Sequence, residues 1–268
     1  MPKERFPSAR GCGTQSSDLR HSDTAPMDCF QVTRLLRMQP WFAQLAPALQ
    51  TSVQRSVFTV RARKGEVILR AGEPARGWYA LLSGFVKLQS PGEDDQVSAF
   101  LALTGGEWFG EGSVMKDEPR RYEVVALRDC ELLCLPRQQF DALLACSIPF
   151  NHAVLGHMNL RLGQAMAIIE INRTGSLEQR LALYLSRVFW HGLRKLNLSQ
   201  AELGCLAGMS RQAANRALRG LSQRGLLTLE FGRVATVDQA GLDRLVGVGP
   251  AGGPSHERSE PIAVTGAA

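Results

Sequence analysis

Between about Arg61 and Leu135, apolar residues fall in short runs rich in β-branched and aromatic side chains. The runs are Glu66–Arg70, Trp78–Leu82, Phe85–Gln89, Val97–Leu103, Tyr122–Leu127 and Glu131–Leu135. Turn-forming residues separate them, at Lys64-Gly65, Ala71–Pro74, Ser83-Gly84, Pro91-Gly92 and Gly105-Gly106. Many short strands at close spacing predict an all-β barrel or roll. Ahead of it, Cys29–Val57 reads as short helices broken by Pro40 and Pro47. Behind it the period changes. Leu155, Met158, Leu162, Ala165 and Ile169 recur at alternating steps of three and four, which predicts a helix over Ile148–Asn172 with an apolar seam. Such a seam either packs on the helix's own domain or joins two copies of the chain. Gly175 interrupts, and Ser176 reads as the N-cap of a further helix, Leu177–Trp190.

The segment Leu198–Val237 carries the most chemistry. Ser199 and Glu202 have the spacing of a capping box, in which each side chain accepts from the other residue's backbone N–H. A helix starts there with Leu203, Leu206 and Ala207 on its buried side. Gly208 then suits a tight turn with positive φ, and Ser210 caps a second helix. That helix has two faces. Ala213, Ala214, Ala217, Leu218 and Leu221 are apolar, whereas Arg211, Gln212, Asn215, Arg216 and Arg219 lie mainly on the other side. Gly204, Gly208 and Ala214 are small where two helices must cross closely. Two further runs, Leu226–Glu230 and Arg233–Val237, flank Phe231-Gly232 as a hairpin, with Arg233 at its tip. Together these pieces predict a winged helix-turn-helix that offers one polar helix face to a DNA major groove. Arginine matches guanine O6/N7 and glutamine matches adenine N6/N7, while some of these side chains hold phosphates instead.

Charge strengthens that reading. The 268-residue chain carries a net charge of +6, with a sequence pI of about 9.2. From Thr174 to Val248 there are ten Lys/Arg against five Asp/Glu, a net of +5. From Arg61 to Cys146 there are eleven against thirteen, a net of −2. The positive excess is thus concentrated where a nucleic-acid footprint belongs. Residues 1–28 and 249–268 read as flexible tails. Between them the organisation is α+β: a β-roll over 29–147, a long helix over 148–173 and a winged helix-turn-helix over 174–248. There is no membrane-length apolar run and no secretory signal. The six cysteines are scattered without a CxxC pair, which fits reduced thiols in a cytoplasmic protein. No metal site is expected, and neither GxxxxGK[ST], HExxH nor GxSxG occurs, so an enzyme is disfavoured and no catalytic residue is assigned. A protein-interaction module is the other class. Its exposed helix face would carry aromatic or aliphatic anchors rather than arginines and amides.

With these residues in view, the chain resembles the Crp/Fnr superfamily of transcription regulators over about residues 35–245. The likeness rests on KGEVILRAGEPARGWYALLSGFVKL, on GEWFGEGSVMKDEPRRYEVVAL, on the linking helix, and most specifically on SRQAANRALRGLSQRGLL. The resemblance implies a cyclic-nucleotide-binding-type β-roll and a dimerising helix through Leu155, Met158, Leu162, Ala165 and Ile169. It also implies DNA contacts from Ser210, Arg211, Gln212, Asn215, Arg216, Arg219 and Arg233. The family usually has Glu where Gln212 stands, so the DNA site is expected to differ. For the effector it implies Gly110 and Glu111, with Arg121 at the phosphate-binding position and Tyr122 in place of a serine. Ala165 and Met166 fall where a polar pair contacts the base, and neither supplies a hydroxyl. Cyclic AMP, cyclic di-GMP, another nucleotide or no ligand at all therefore stand open as inputs. The iron–sulfur branch's dense N-terminal cysteines are absent. Double-stranded DNA, a second copy of the chain and RNA polymerase are the expected partners.

Overall fold

A computed structural model of the chain describes residues 29–90, 98–189, 198–230, 233–236 and 238–247. The two segments read as tails lie outside the described residues. Three short helices come first: α1 (Cys29–Arg37), α2 (Pro40–Ala43) and α3 (Pro47–Ser56). Pro40 and Pro47 open α2 and α3 rather than break them. At the first turn of a helix a proline's missing N–H would have had no partner anyway. The roll follows, with β1 (Phe58–Ala62), β2 (Val67–Leu69), β3 (Gly77–Ser83), β4 (Phe85–Ser90), β5 (Ser98–Thr104), β6 (Trp108–Phe109), a short α4 (Glu111–Lys116), β7 (Glu123–Ala126) and β8 (Cys130–Pro136). The strands form two antiparallel four-stranded sheets, in the orders β1-β8-β3-β6 and β2-β7-β4-β5.

Strand β3 shows how the roll is held. Side chains alternate across a strand. Tyr79 and Leu81 enter the roll interior with Phe109 and Leu132, whereas Trp78 and Ala80 join a second core with Trp41, Trp108, Phe140 and Phe150. That second core lies under α2, α5 (Arg137–Cys146) and the start of α6 (Ile148–Thr174). Covered on both faces, β3 reads as a continuous apolar run instead of an alternating one. Trp78 and Trp108 pack with ring centroids 4.2 Å apart, and Phe150 meets Trp41 edge-on at 5.0 Å. Full burial of one such side chain stabilises by roughly 1.5–3 kcal/mol, so this cluster fixes the root of α6 on the roll.

Cys130 and Cys134 are small hydrophobes of the same interior. Burial pushes both thiols up to about 12, so neither is a thiolate at neutral pH. Cys146 and Cys205 are exposed. On native protein, iodoacetamide is expected to modify Cys146 and Cys205 within minutes and to spare Cys130 and Cys134, as peptide mass spectrometry would show. Rapid labelling of Cys134 would contradict its placement.

Helix α6 runs for 27 residues, roughly 40 Å at 1.5 Å per residue. Ser147 caps it by accepting from Phe150 N, and the buried residues on it are Phe150, Val154 and Gln164. All five seam residues, Leu155, Met158, Leu162, Ala165 and Ile169, are exposed on the single chain. None of the five is among the buried residues of the helix.

Beyond α6 lie α7 (Leu177–Leu183), α8 (Gln200–Leu206), α9 (Arg211–Gln223), the β9 (Leu227–Glu230)–β10 (Arg233–Thr236) hairpin and α10 (Gln239–Leu245). Helix α7 is shorter than the expected Leu177–Trp190. Leu185 N and Ser186 N donate to Ala182 O and Leu183 O in tighter turns, and the Ser186 hydroxyl donates to Leu183 O. A side-chain partner of this kind competes with continued helix. Trp190 lies outside the described residues. Asp243 of α10 then ties the turn down, accepting from Arg187 N at 2.9 Å, from Arg187 Nε and from Gln239 Nε2. Burial alone would raise the Asp243 carboxyl, but these donors hold it below its ordinary value. A carboxyl lowered by folding contributes stability above its unfolded pKa of about 3.9 and loses it as pH falls through the folded value. Asp243→Ala is expected to cost about 2–3 kcal/mol at neutral pH and to flatten the loss of stability below about pH 4. Urea denaturation at pH 7 and pH 3.5 reads both.

Candidate nucleic-acid interface and effector cavity

The expected capping box is built. Ser199 Oγ accepts from Glu202 N at 3.2 Å, and Glu202 Oε2 accepts from Ser199 N at 2.8 Å. Gly208 has φ +61, in the left-handed region that glycine favours, which turns the chain from α8 into α9. Ser210 Oγ accepts from Ala213 N and starts α9. The helices cross so closely that a Cβ on Gly204 would lie 2.9 Å from the Ala214 Cβ. Ala214, Ala217, Leu218 and Leu221 are buried by α7, α8 and β9.

The opposite face is open. Ser210, Arg211, Gln212, Arg216 and Arg219 are exposed, and Asn215 is half-buried. Among the described residues, Arg211, Arg216 and Arg219 are in no ion pair. Gln212, Asn215, Arg216 and Arg219 line an open groove together with Gly220, Gln223 and Glu178. Glu178 comes from α7, fits beside Gly220 because that residue has no side chain, and pairs with Arg224 at 3.3 Å. Sequence reasoning missed it, since it lies on another helix about forty positions away. Arg233 begins β10, across from Glu230, and its side chain is outside the described residues. A fixed helix presenting guanidinium and amide groups on one side is chemically suited to base edges and phosphates.

A second site lies between the roll and α6. A cavity of about 220 Å³ is walled by Leu88, Phe100, Leu101 and Phe109 from strands and by Ala165 and Ile168 from α6, with Glu111, Tyr122, Arg161 and Gln164 as polar members. Gly110 holds φ +93 at the start of α4, and Glu111 follows it. Burial would raise the Glu111 carboxyl, but His157, with Nε2 3.4 Å away, holds it below its ordinary value. Burial pushes the Tyr122 hydroxyl up to about 12.

Arg121 does not reach this cavity. Its side chain is 73% exposed and pairs with Glu118 at 2.9 Å. The buried member of the pair is Arg120, a position the resemblance did not single out. Arg120 N donates to Glu73 O and Arg120 O accepts from Gly72 N. Arg120 is 4% exposed, its guanidinium lies 5.1 Å over the Tyr79 ring, and among the described residues Nη2 has no hydrogen-bond partner. Its Nη1 lies 3.6 Å from the place a Cβ on Gly110 would take. A buried guanidinium with no carboxylate partner among the described residues is costly and suits an anionic ligand. Glu111 adds an acceptor suited to a hydroxyl. Glu111 lines the cavity, and Arg120 lies beside Gly110, the residue before it. Ala165 lines the cavity and Met166 is exposed, so neither position offers the base a hydroxyl.

Two family models match the chain: a cyclic nucleotide-binding domain over residues 59–146 and a Crp-like helix-turn-helix domain over residues 179–245. The chain belongs to the Crp/Fnr superfamily of transcription regulators. The regulator is 29% identical to the cyclic AMP receptor protein of Thermus thermophilus over 212 residues, covering 78% of this chain and 98% of the relative. It is 24% identical to a CRP-like cAMP-activated global transcriptional regulator of Mycobacterium tuberculosis, covering 76% and 94%. Its fold matches FixK2 of Bradyrhizobium japonicum with a TM-score of 0.62 at 18% identity, over 70% of this chain and 96% of that one. Among the described residues, no helix of the regulator is long and apolar enough to cross a membrane.

Proposed function

We propose that the regulator is a cytoplasmic homodimer that binds a specific DNA sequence and responds to an effector in the β-roll. The observation that carries this reading is the open row Arg211, Gln212, Arg216 and Arg219 on a helix whose other face is packed. Arg211 and Gln212 stand at the N-terminal end of α9, the end a recognition helix presents to base edges. Ser210, Asn215, Arg219 and Arg233 are assigned to the surrounding phosphates and sugars.

The exposed seam of α6 supports pairing with a second copy through Leu155, Met158, Leu162, Ala165 and Ile169. A two-fold dimer places its two recognition helices in successive major grooves, about 34 Å apart on a near-palindromic site. RNA polymerase is the expected partner where the regulator activates. For the effector, a cyclic nucleotide such as cyclic AMP or cyclic di-GMP is the class that the family match supports. Gly110, Glu111, Arg120 and Tyr122 are the roll residues assigned to it, with Arg120 taking the part that the resemblance gives to Arg121. An effector shifts the DNA-binding state only as far as it binds one arrangement of the chain better than the other.

Selection from a random DNA pool tests the reading, run with the protein alone and then with cyclic AMP or cyclic di-GMP. Enrichment of a two-fold-symmetric site is expected in at least one condition. Failure to enrich any site in all three would overturn sequence-specific binding.

A further inference from the structure

We propose that Arg161 and Gln164 form a hydrogen-bonded relay that ties the effector cavity to the C-terminal domain, with Gln164 as a positioning residue for that domain. The inference rests on reading the chain as an effector-controlled regulator, and its test does not use DNA or effector.

Both side chains project from α6 and both line the cavity. Arg161 reaches the roll, where Nη2 donates to Trp108 O at 3.2 Å and to Glu107 Oε1 at 3.4 Å. Glu107 is itself seated by Thr104, which closes β5: its Oε2 accepts from Thr104 N at 2.8 Å and from Thr104 Oγ1 at 3.2 Å. Arg161 Nη1 donates to Gln164 Oε1 at 2.9 Å, and Gln164 Nε2 donates to Val188 O at 2.9 Å. Val188 belongs to the turn that ends α7, the turn Asp243 pins to α10 through Arg187. One chain of contacts therefore runs from the end of β5, along the cavity wall, into the C-terminal domain.

Gln164 is only 4% exposed. A buried amide among apolar neighbours is tolerated only when it is satisfied, and here its two ends are satisfied by different structural units. An apolar residue would pack in that place with no such demand. The amide's position thus serves orientation: its oxygen is held by the roll-anchored guanidinium, which leaves its N–H₂ aimed at Val188 O. A ligand in the cavity touches Arg161 and Gln164 directly. If it takes either as a partner, the grip on Val188 changes without any ligand contact to the C-terminal domain. That is a coupling with two named ends.

Hydrogen exchange on the full chain tests the relay. Gln164→Leu removes the last link. Arg161→Met removes the one before it and leaves Gln164 and Val188 in place. Both are expected to speed exchange of the amides of residues 184–189 by about fivefold or more, while the β3 and β8 amides stay as in the wild type. Acceleration by Gln164→Leu alone would make Gln164 a local peg and overturn the relay. Unchanged exchange in both variants would overturn it as well. Should Arg161→Met disturb the β3 and β8 amides, Glu107→Gln reads the same link from the roll side, and a wild-type rate at residues 184–189 in that variant counts against the proposal. A failed DNA selection, by contrast, would leave these rates untouched.

Discussion

Replacing Leu162 with Glu is expected to turn the proposed dimer into a monomer near 29.3 kDa in sedimentation velocity. Leu162 is 60% exposed on the single chain, midway along a stripe that also carries Leu155 and Ile169 at 60% and 58%. In a two-fold pair the same residue comes from both copies, so one substitution places two carboxylates in one apolar seam. Burying an unpaired carboxylate costs several kcal/mol, and about 4 kcal/mol already raises a dissociation constant about a thousandfold. Protonation is the escape, so the variant is expected to recover some dimer as pH falls toward 5. Leu162→Met, which keeps volume and polarity, should stay dimeric. Binding to a symmetric operator should fall with the dimer, because each monomer keeps half of the contacts. An unchanged sedimentation coefficient for Leu162→Glu would overturn the α6 seam as a dimer interface.

The parts of the fold legible in the sequence are those whose signal is local. The six apolar runs carry β2, β3, β4, β5, β7 and β8, and the capping residues Ser176, Ser199 and Ser210 sit at the starts of α7, α8 and α9. Gly208 takes its positive φ because the turn it serves is set within a few residues. What was missed depends on distant partners. β6 is two residues long and is a strand only because Phe109 lies opposite Tyr79. α7 stops early where Ser186, Gln164 and Asp243 take up the turn, and two of those three come from elsewhere in the chain. The resemblance pointed to Arg121, which is exposed and paired with Glu118, whereas the neighbouring Arg120 is buried over Tyr79 and tied through its backbone to Gly72 and Glu73. Arg128, at the turn between β7 and β8, grips Glu202 of α8 through both carboxylate oxygens, and α8 packs on β5. The capping box hid that second use of Glu202, since one carboxylate serves both.

Arg211→Ala is expected to lose about 1–3 kcal/mol on the preferred operator and much less on operators changed at one base pair. Arg211 is the first residue of α9, exposed and without an ion-pair partner among the described residues. From that end of a recognition helix a guanidinium reaches guanine O6 and N7 together, and the geometry that makes this contact strong also makes it selective. Arg219 lies two turns further along the same face, away from the N-terminal end that a recognition helix presents to base edges. Arg219→Ala should therefore weaken all sequences alike and reduce the salt slope by about one. Gln212 gives an internal comparison. Its amide both donates and accepts and so suits adenine N6 and N7, whereas Gln212→Glu can only accept and should shift preference toward a cytosine N4 donor at the same step. Titrating the three variants against operators carrying each base pair at the two steps, at two salt concentrations, separates reading from holding. A loss in Arg211→Ala equal for every sequence would make Arg211 a phosphate contact and move the base-reading role to Gln212 and Arg216.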